Sequence, residues 1–445
     1  MESSFESICD QTVIRETSMI FHKTLANIRK KHGFSQDEFA KALGCTRELI
    51  VALESNKEQA TFAFVTNLKD KLNLHSAPIT ESERATLMDS LYKWKLAIDY
   101  GDMDVAKAQK PELEKAAKNS YSPSTLNFYD LYSASYYWAV GDKDAFNQVA
   151  DALSKRTGEF SARHLYHYYR IEASRNYIAY RFVESLKMYK AAEKLDKNSE
   201  WGNVGFYYGY GMCLSSLDYP SRAIECFKKA QHIAKWHKAY KGKPNARYNF
   251  YIDTVLSDDL SLLGGLDEAL AMLDKHLKIE SENKINLRMG ELYLAYATAY
   301  LRAKRYDEAL ENFDTAAKYF NTDGMKCKTT LYRKSLCLIE SGNIEDGLRC
   351  IEEGFSIQMD DAYRVLFEAL KCSVSLNDSE SLRHMEDIVL PKLLRHSHNS
   401  EAIKYSKLLG EFFGEKGCYE AAFKYSNVAL KVIEHLYYEY VEGGL

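Results

Sequence analysis

Small residues recur through most of this chain at intervals of roughly 35–46 residues, a spacing that belongs to stacked helix pairs. In the clearest unit Tyr293, Tyr296, Ala297 and Tyr300 share one helix face, and Tyr306-Asp307-Glu308-Ala309-Leu310 opens the next helix, with Phe313 and Ala316 behind it. A second unit has Tyr207, Tyr210, Gly211 and Leu214, then Ala223, Phe227 and Ala230. Fainter copies put Ala145, Ser185, Ala269, Gly347 and Ala422 at the small position. A small residue lets two helices approach closely, and an aromatic fills the space between neighbouring pairs. One pair cannot bury both faces alone, so the pairs must stack. Six prolines in 445 residues leave long helices uninterrupted. The expectation is an all-α chain, with seven or eight tetratricopeptide-like pairs forming a right-handed solenoid over residues 84–445. Tyr437, Tyr438 and Tyr440 are read as part of a capping helix, and Gly443-Gly444 as a frayed end.

The N-terminal part reads differently. Residues 18–74 are expected to form five short helices, the first from Met19 to His32. Ser35 followed by Glu38 is a capping box. Phe39, Ala40 and Leu43 then lie at helical spacing, and Gly44 permits a tight turn. Thr46 caps a second short helix that buries Leu49, Ile50 and Leu53. Helix, glycine turn and helix form a helix-turn-helix over residues 18–75. Residues 1–17 are read as an extension and 76–83 as a polar linker containing Pro78.

Charge and composition narrow the function. The net charge is −4, yet residues 21–74 hold nine Lys/Arg against six Asp/Glu. DNA contact is therefore expected only at that end. No apolar stretch reaches the roughly 18–20 residues that span a membrane. Met1 to Arg15 has no secretory apolar core, so a cytoplasmic location is expected. The nine cysteines contain no CxxC pair, and His396 and His398 lack companions for a metal set. No phosphate loop, nucleophile elbow or strand-linked dinucleotide motif appears. Asp258-Asp259 and Asp360-Asp361 are read as helix-start or solvated residues. No enzyme, metal or cofactor is expected.

The stretch from Ser35 to Ser55 resembles the Xre-type, phage-repressor-like DNA-binding domain through Ser35-Gln36, Ala40, Leu43-Gly44, Thr46-Arg47, Ile50 and Glu54. That resemblance implies a second helix lying in the major groove. By position it places Arg47 and Glu48 at base edges, Thr46 at the helix start, Gln36 and Lys57 at phosphates, and Ala52 against a thymine methyl. Val51 and Ala52 stand where such domains often carry polar readers, a departure that points to weaker or shape-based readout.

Joined to tetratricopeptide-like repeats, such a head resembles the RRNPP group of peptide-pheromone receptors of Gram-positive bacteria, with a length and repeat count most like the NprR branch. The resemblance implies a transcription regulator that binds double-stranded operator DNA as a homodimer and a short signalling peptide in the repeat groove. Projected onto the first helices, the peptide-binding candidates are Arg170, Asn176, Tyr208, Arg247, Asn249, Tyr251, Glu291 and Tyr332. Tyr137, His167, Tyr177 and Asp258 lie on the same face. Alternatives are a response-regulator-binding inhibitor or phosphatase-like protein acting around Trp94 to Lys118 with Gln109, a mobile-element repressor, or a scaffold with a vestigial head.

Overall fold

The structure is a computed structural model, and it describes residues 21–75, 77–196, 203–236, 246–283, 286–320 and 325–441. The expected extension over residues 1–17, the helix start at Met19 and the frayed end at Gly443-Gly444 lie outside the described residues. Every regular element among the described residues is helical. The chain divides into two compact units, the first holding the residues up to Glu172 and the second most of those from Ala173 on.

The first unit begins with α1 (Phe21–Lys31), α2 (Gln36–Leu43), α3 (Arg47–Glu54) and α4 (Phe62–Leu72). Four helices, not five, occupy the described residues 21–75. Thr61 caps α4 by accepting from the Phe64 amide, which leaves Glu58 to Ala60 as loop. The Ser35–Glu38 capping box is present, and Gly44 sits at φ 69° in the turn. Leu25, Ile28, Phe39, Leu43, Ile50, Leu53 and Leu68 form the head's core.

Ala77 and Ile79 are buried in that same core. The segment read as a polar linker is thus half structural. Thr80 and Glu83 form a second capping box, so the next helix, α5 (Glu81–Tyr100), starts before residue 84. Side chains also fasten the head to later residues of the same unit. Buried Arg84 donates to Thr24 Oγ1, Lys69 pairs with Glu83, and Asn27 Nδ2 donates to the Tyr121 carbonyl at 3.2 Å.

Helices α6 (Met103–Asn119), α7 (Pro123–Val140), α8 (Lys143–Ser154) and α9 (Ala162–Ile178) continue the chain. Trp94 anchors this part. Its indole donates to the Ala106 carbonyl at 2.8 Å and stacks on Tyr129.

The second unit contains most of α10 (Phe182–Leu195), then α11 (Val204–Ser216), α12 (Pro220–Trp236), α13 (Ala246–Leu262), α14 (Leu266–Asn283), α15 (Asn286–Arg302), α16 (Tyr306–Ala317), α17 (Met325–Glu340), α18 (Ile344–Ser356) and α19 (Asp361–Ser373). It ends with α20 (Ser379–His384), α21 (Leu390–Arg395), α22 (Asn399–Glu415) and α23 (Tyr419–Val441). Antiparallel pairs dominate: α11 packs on α12, α15 on α16, α17 on α18 and α22 on α23. The first helices α11, α13, α15 and α17 also touch in series, so they line one face.

Ser185, Ala223, Ala269 and Ala309 are fully buried at the expected small position, and Gly347 is buried too, whereas Ala145 and Ala422 are only half-buried. The turn inside each pair repeats as well. Gly101, Gly141, Gly264, Gly342 and Gly417 have positive φ there, and Tyr180, Asp218 and Lys304 adopt the same left-handed conformation at φ 56°, 65° and 57°. A π-helical turn, Met385–Val389, interrupts the pairing between α20 and α21.

Candidate DNA interface and ligand groove

The head presents the N-termini of α2 and α3. Their angle is held by one carboxylate. Glu54, at the end of α3, receives Arg29 Nε at 2.6 Å, Arg29 Nη2 at 3.0 Å and Gln36 Nε2 at 2.9 Å. Burial works against its charge, but Arg29 and Gln36 together hold its pKa below the usual range. Gln36, expected at a phosphate, therefore spends its amide on tying α2 to α3. Glu54 is the residue whose role in positioning sequence reasoning missed, although its distance from Gln36 matches helices that cross.

Arg47 and Glu48 are exposed, and Arg47 pairs only loosely with Asp37, at 3.5 Å. Thr46 accepts from the Leu49 amide and so serves as the cap. Lys57 is exposed in the loop after α3. Val51 continues the exposed face of Arg47, while Ala52 is half-buried. Val51, not Ala52, shares the exposed face with Arg47, because a helix places positions three and four apart on one face. Phe62, at the start of α4, is 88% exposed and was not anticipated.

In the second unit Tyr208, Tyr251 and Glu291 come together with Tyr177 and Tyr248. Tyr208 and Tyr248 rings meet at 5.8 Å, and the Tyr177 and Ser216 hydroxyls lie 3.1 Å apart. Burial raises the pKa of Tyr208 well above its ordinary value, and the neighbouring Tyr177 adds to this. Its hydroxyl therefore stays protonated. Asn249 lies on α13, with its Oδ1 buried and unpartnered. Asn176 is half-buried on α9. The Arg247 side chain falls outside the described residues.

Two candidates are placed elsewhere. Arg170 belongs to the first unit, where it donates to Ser135 Oγ at 3.3 Å and lies near Lys95 and His167. Burial lowers the His167 pKa well below its ordinary value, with Arg170 and Lys95 adding to this, so the ring stays neutral. Tyr332 packs into the core, edge-on to Phe367 at 5.5 Å, because it faces α19 rather than the shared face. Trp94 is likewise buried, whereas Gln109 is exposed on α6.

Beyond the tyrosines the lining becomes ionic. Asp258 accepts from Arg302 Nε at 3.1 Å and from Arg333 Nη2 at 3.0 Å. Burial opposes its charge, yet Arg333 and Arg302 hold its pKa below normal. Asp259 accepts from Ser215 Oγ at 2.9 Å and is only 4% exposed. The pair is therefore neither helix-start nor solvated: it lies within α13 and one member is buried. Asp360 does start a helix, accepting from the Tyr363 amide at 2.8 Å. No group of three metal-ligating side chains converges among the described residues.

A helix-turn-helix family signature matches residues 25–77. In comparisons of fold, the chain is similar to NprR in complex with its cognate peptide NprX, at 17% identity and a TM-score of 0.66, over 78% of this chain and 99% of that one. It is similar to a Rap protein complexed with competence and sporulation factor, at 15% identity and a TM-score of 0.66, over 79% and 98%. The apo form of the quorum sensor NprR from B. thuringiensis matches at 17% identity and a TM-score of 0.58, over 78% and 99%. No curated protein matches in sequence. The chain thus joins a helix-turn-helix head to the repeat fold of NprR and Rap proteins.

Proposed function

We propose that this chain is a cytoplasmic transcription regulator whose repeats bind a short signalling peptide and thereby change how its head engages operator DNA. The observation that carries the reading is the pairing of an exposed α3 N-terminus with a head seated on its body. Arg47, Glu48 and Val51 face outward, while Thr24, Asn27 and Lys69 on other helices fasten the head to α5 and to the Tyr121 carbonyl. A head held this way turns with the helices beneath it. Its reading surface moves when they move.

The peptide groove is the face lined by α11, α13 and α15, where tyrosine hydroxyls and Glu291 offer donors and acceptors to an extended backbone. The likeness in fold to NprR and Rap structures that hold peptides supports that assignment. A two-fold operator needs two heads about 34–36 Å apart. The second copy is assigned to α23, where Tyr419 is 76% exposed and Phe423 68% exposed, with Leu430 and Ile433 further along.

The test is recovery of genomic fragments by the purified protein at near-physiological salt, with Arg47→Ala beside it. The expected result is a few two-fold-related sites for the native protein. Affinity for them drops roughly tenfold or more in the variant, since a bidentate arginine–guanine contact is worth about 1–3 kcal/mol. Equal recovery by both proteins would remove Arg47 from the interface. Recovery of no site with or without peptide would remove the regulator reading and favour a response-regulator partner.

A further inference from the structure

The ionic end of the groove holds more carboxylates than cations. Four carboxylates gather there: Asp258 and Asp259 from α13, Asp218 from the turn after α11, and Glu401 from the start of α22. Two guanidiniums accompany them, Arg302 from α15 and Arg333 from α17. Both guanidiniums bond to Asp258. Among the described residues the Asp218 carboxylate has only Ser400 as a hydrogen-bond partner, and that of Asp259 only the Ser215 hydroxyl.

Asp259 shows the deficit at one atom. Its Oδ2 is shielded from solvent and has no hydrogen-bond partner, on a residue 4% exposed. Buried polar atoms are nearly always satisfied, and an orphan asks for an absent partner. Protonation does not repair the fault, because the added hydroxyl would then lack an acceptor. Burial first, and then the neighbouring Asp258, push the Asp259 pKa up to about 7. Burial raises that of Asp218 as well, with Glu401 adding to it. The two carboxyls whose partners are serine hydroxyls are the two that resist ionising.

We propose that Asp259 and Asp218, with Ser215 and Ser400 beside them, form the seat for an ammonium group of the peptide bound in the groove. The inference rests on the peptide-binding reading above and names the chemistry that peptide must carry. An ammonium is a compact charge with three donors, suited to acceptors from separate elements. Its source is either a lysine side chain or the peptide's free α-amino group. In either case it supplies hydrogen bonds that Arg302 and Arg333, which bond to Asp258, do not.

The experiment uses the full-length protein, immobilised, and three random octapeptide pools. The first has free N-termini and contains lysine. The second is Nα-acetylated and contains lysine. The third is Nα-acetylated and has neither lysine nor arginine. The native protein should retain the first pool at least about tenfold better than the third, as expected for a charge-assisted contact out of water. Retention of the second pool assigns the ammonium to lysine, and its loss assigns it to the N-terminus. Asp259→Asn and Asp218→Asn should each reduce the difference between pools. Both are isosteric, and Asn tolerates the left-handed conformation at residue 218, so both should fold and melt no lower than the native protein.

Equal retention of the first and third pools by the native protein would overturn the proposal while leaving peptide binding intact. So would folded Asn variants that discriminate as the native protein does. Retention of no pool at all would sink the peptide reading, and this inference with it.

Discussion

The head and the repeat body solve the same packing problem at different ranges. In the head, order comes from groups close in sequence. Ser35, Thr46 and Thr61 each cap a helix through an amide three residues on, and one carboxylate, Glu54, ties three helices. In the body, order comes from surfaces. Gly211 leaves room that the Phe227 ring fills, and Ala297, Ala309, Phe313 and Ala316 close one cluster. The head is thus sensitive to single polar contacts and the body to volume. Polar contacts cost much when half-broken, because the remaining partner stays buried and unpaired.

The strongest way to break that contrast is Glu54→Ala. It leaves the Arg29 guanidinium largely buried without a counter-charge, and the expected loss is about 3 kcal/mol of head stability. Urea unfolding followed by a probe in the head should show it, with the body's transition nearly unmoved. A loss below about 1 kcal/mol would mean that the apolar core alone holds the head.

Gly211→Ala tests the body. An added Cβ would fall 2.5 Å from the Phe227 ring. Overpacking costs about 1–3 kcal/mol, and alanine returns about 1 kcal/mol of helix propensity. The net expectation is a loss of roughly 1 kcal/mol in thermal or denaturant unfolding. A stabilised variant would show that the pairs are looser than their spacing implies.

The smallest effect concerns the polar exception within the body. The Asp259 pKa is raised to about 7 from an ordinary 3.8. Between those values the native state binds a proton that the unfolded chain has released, so stability falls as pH rises through that window. Burial acts first on this group, and Asp258 and Asp218 act in the same direction, while Arg302 and the Ser215 hydroxyl oppose them. Asp259→Asn should therefore gain on the native protein as pH rises, its melting point moving up relative to the native one by roughly 2 °C between about pH 5 and about pH 8. Equal melting at both values would place water or a counter-ion on the carboxylate and sharpen the contrast between the two regions.

Much of this was legible in the residues. The capping box at Ser35, the turn at Gly44 and the small positions at Ala223, Ala269 and Ala309 all follow from local rules. Four features were not. Ala77 and Ile79 looked like linker because two isolated apolar residues beside Pro78 carry no period. Tyr180, Asp218 and Lys304 hid the repeat turn, because nothing in a tyrosine or lysine announces a left-handed backbone. Tyr332 looked like groove lining, since a shift of one or two positions along a helix separates that face from the one toward α19. Asp258-Asp259 looked solvated, since adjacent acids usually are.

The sequence by itself determined the element types and the kind of contact between neighbours. Caps, glycine turns and the alternation of small and aromatic residues act within about four positions, or between a helix and the next one. The tertiary structure decided which charges meet. Asp258 finds Arg302 and Arg333, and Asp218 finds Ser400 across 182 residues. A Coulombic contact depends on distance and burial, and neither is written in a residue's identity. The gathering of four carboxylates around two guanidiniums was therefore visible only once α11, α13, α15, α17 and α22 stood together.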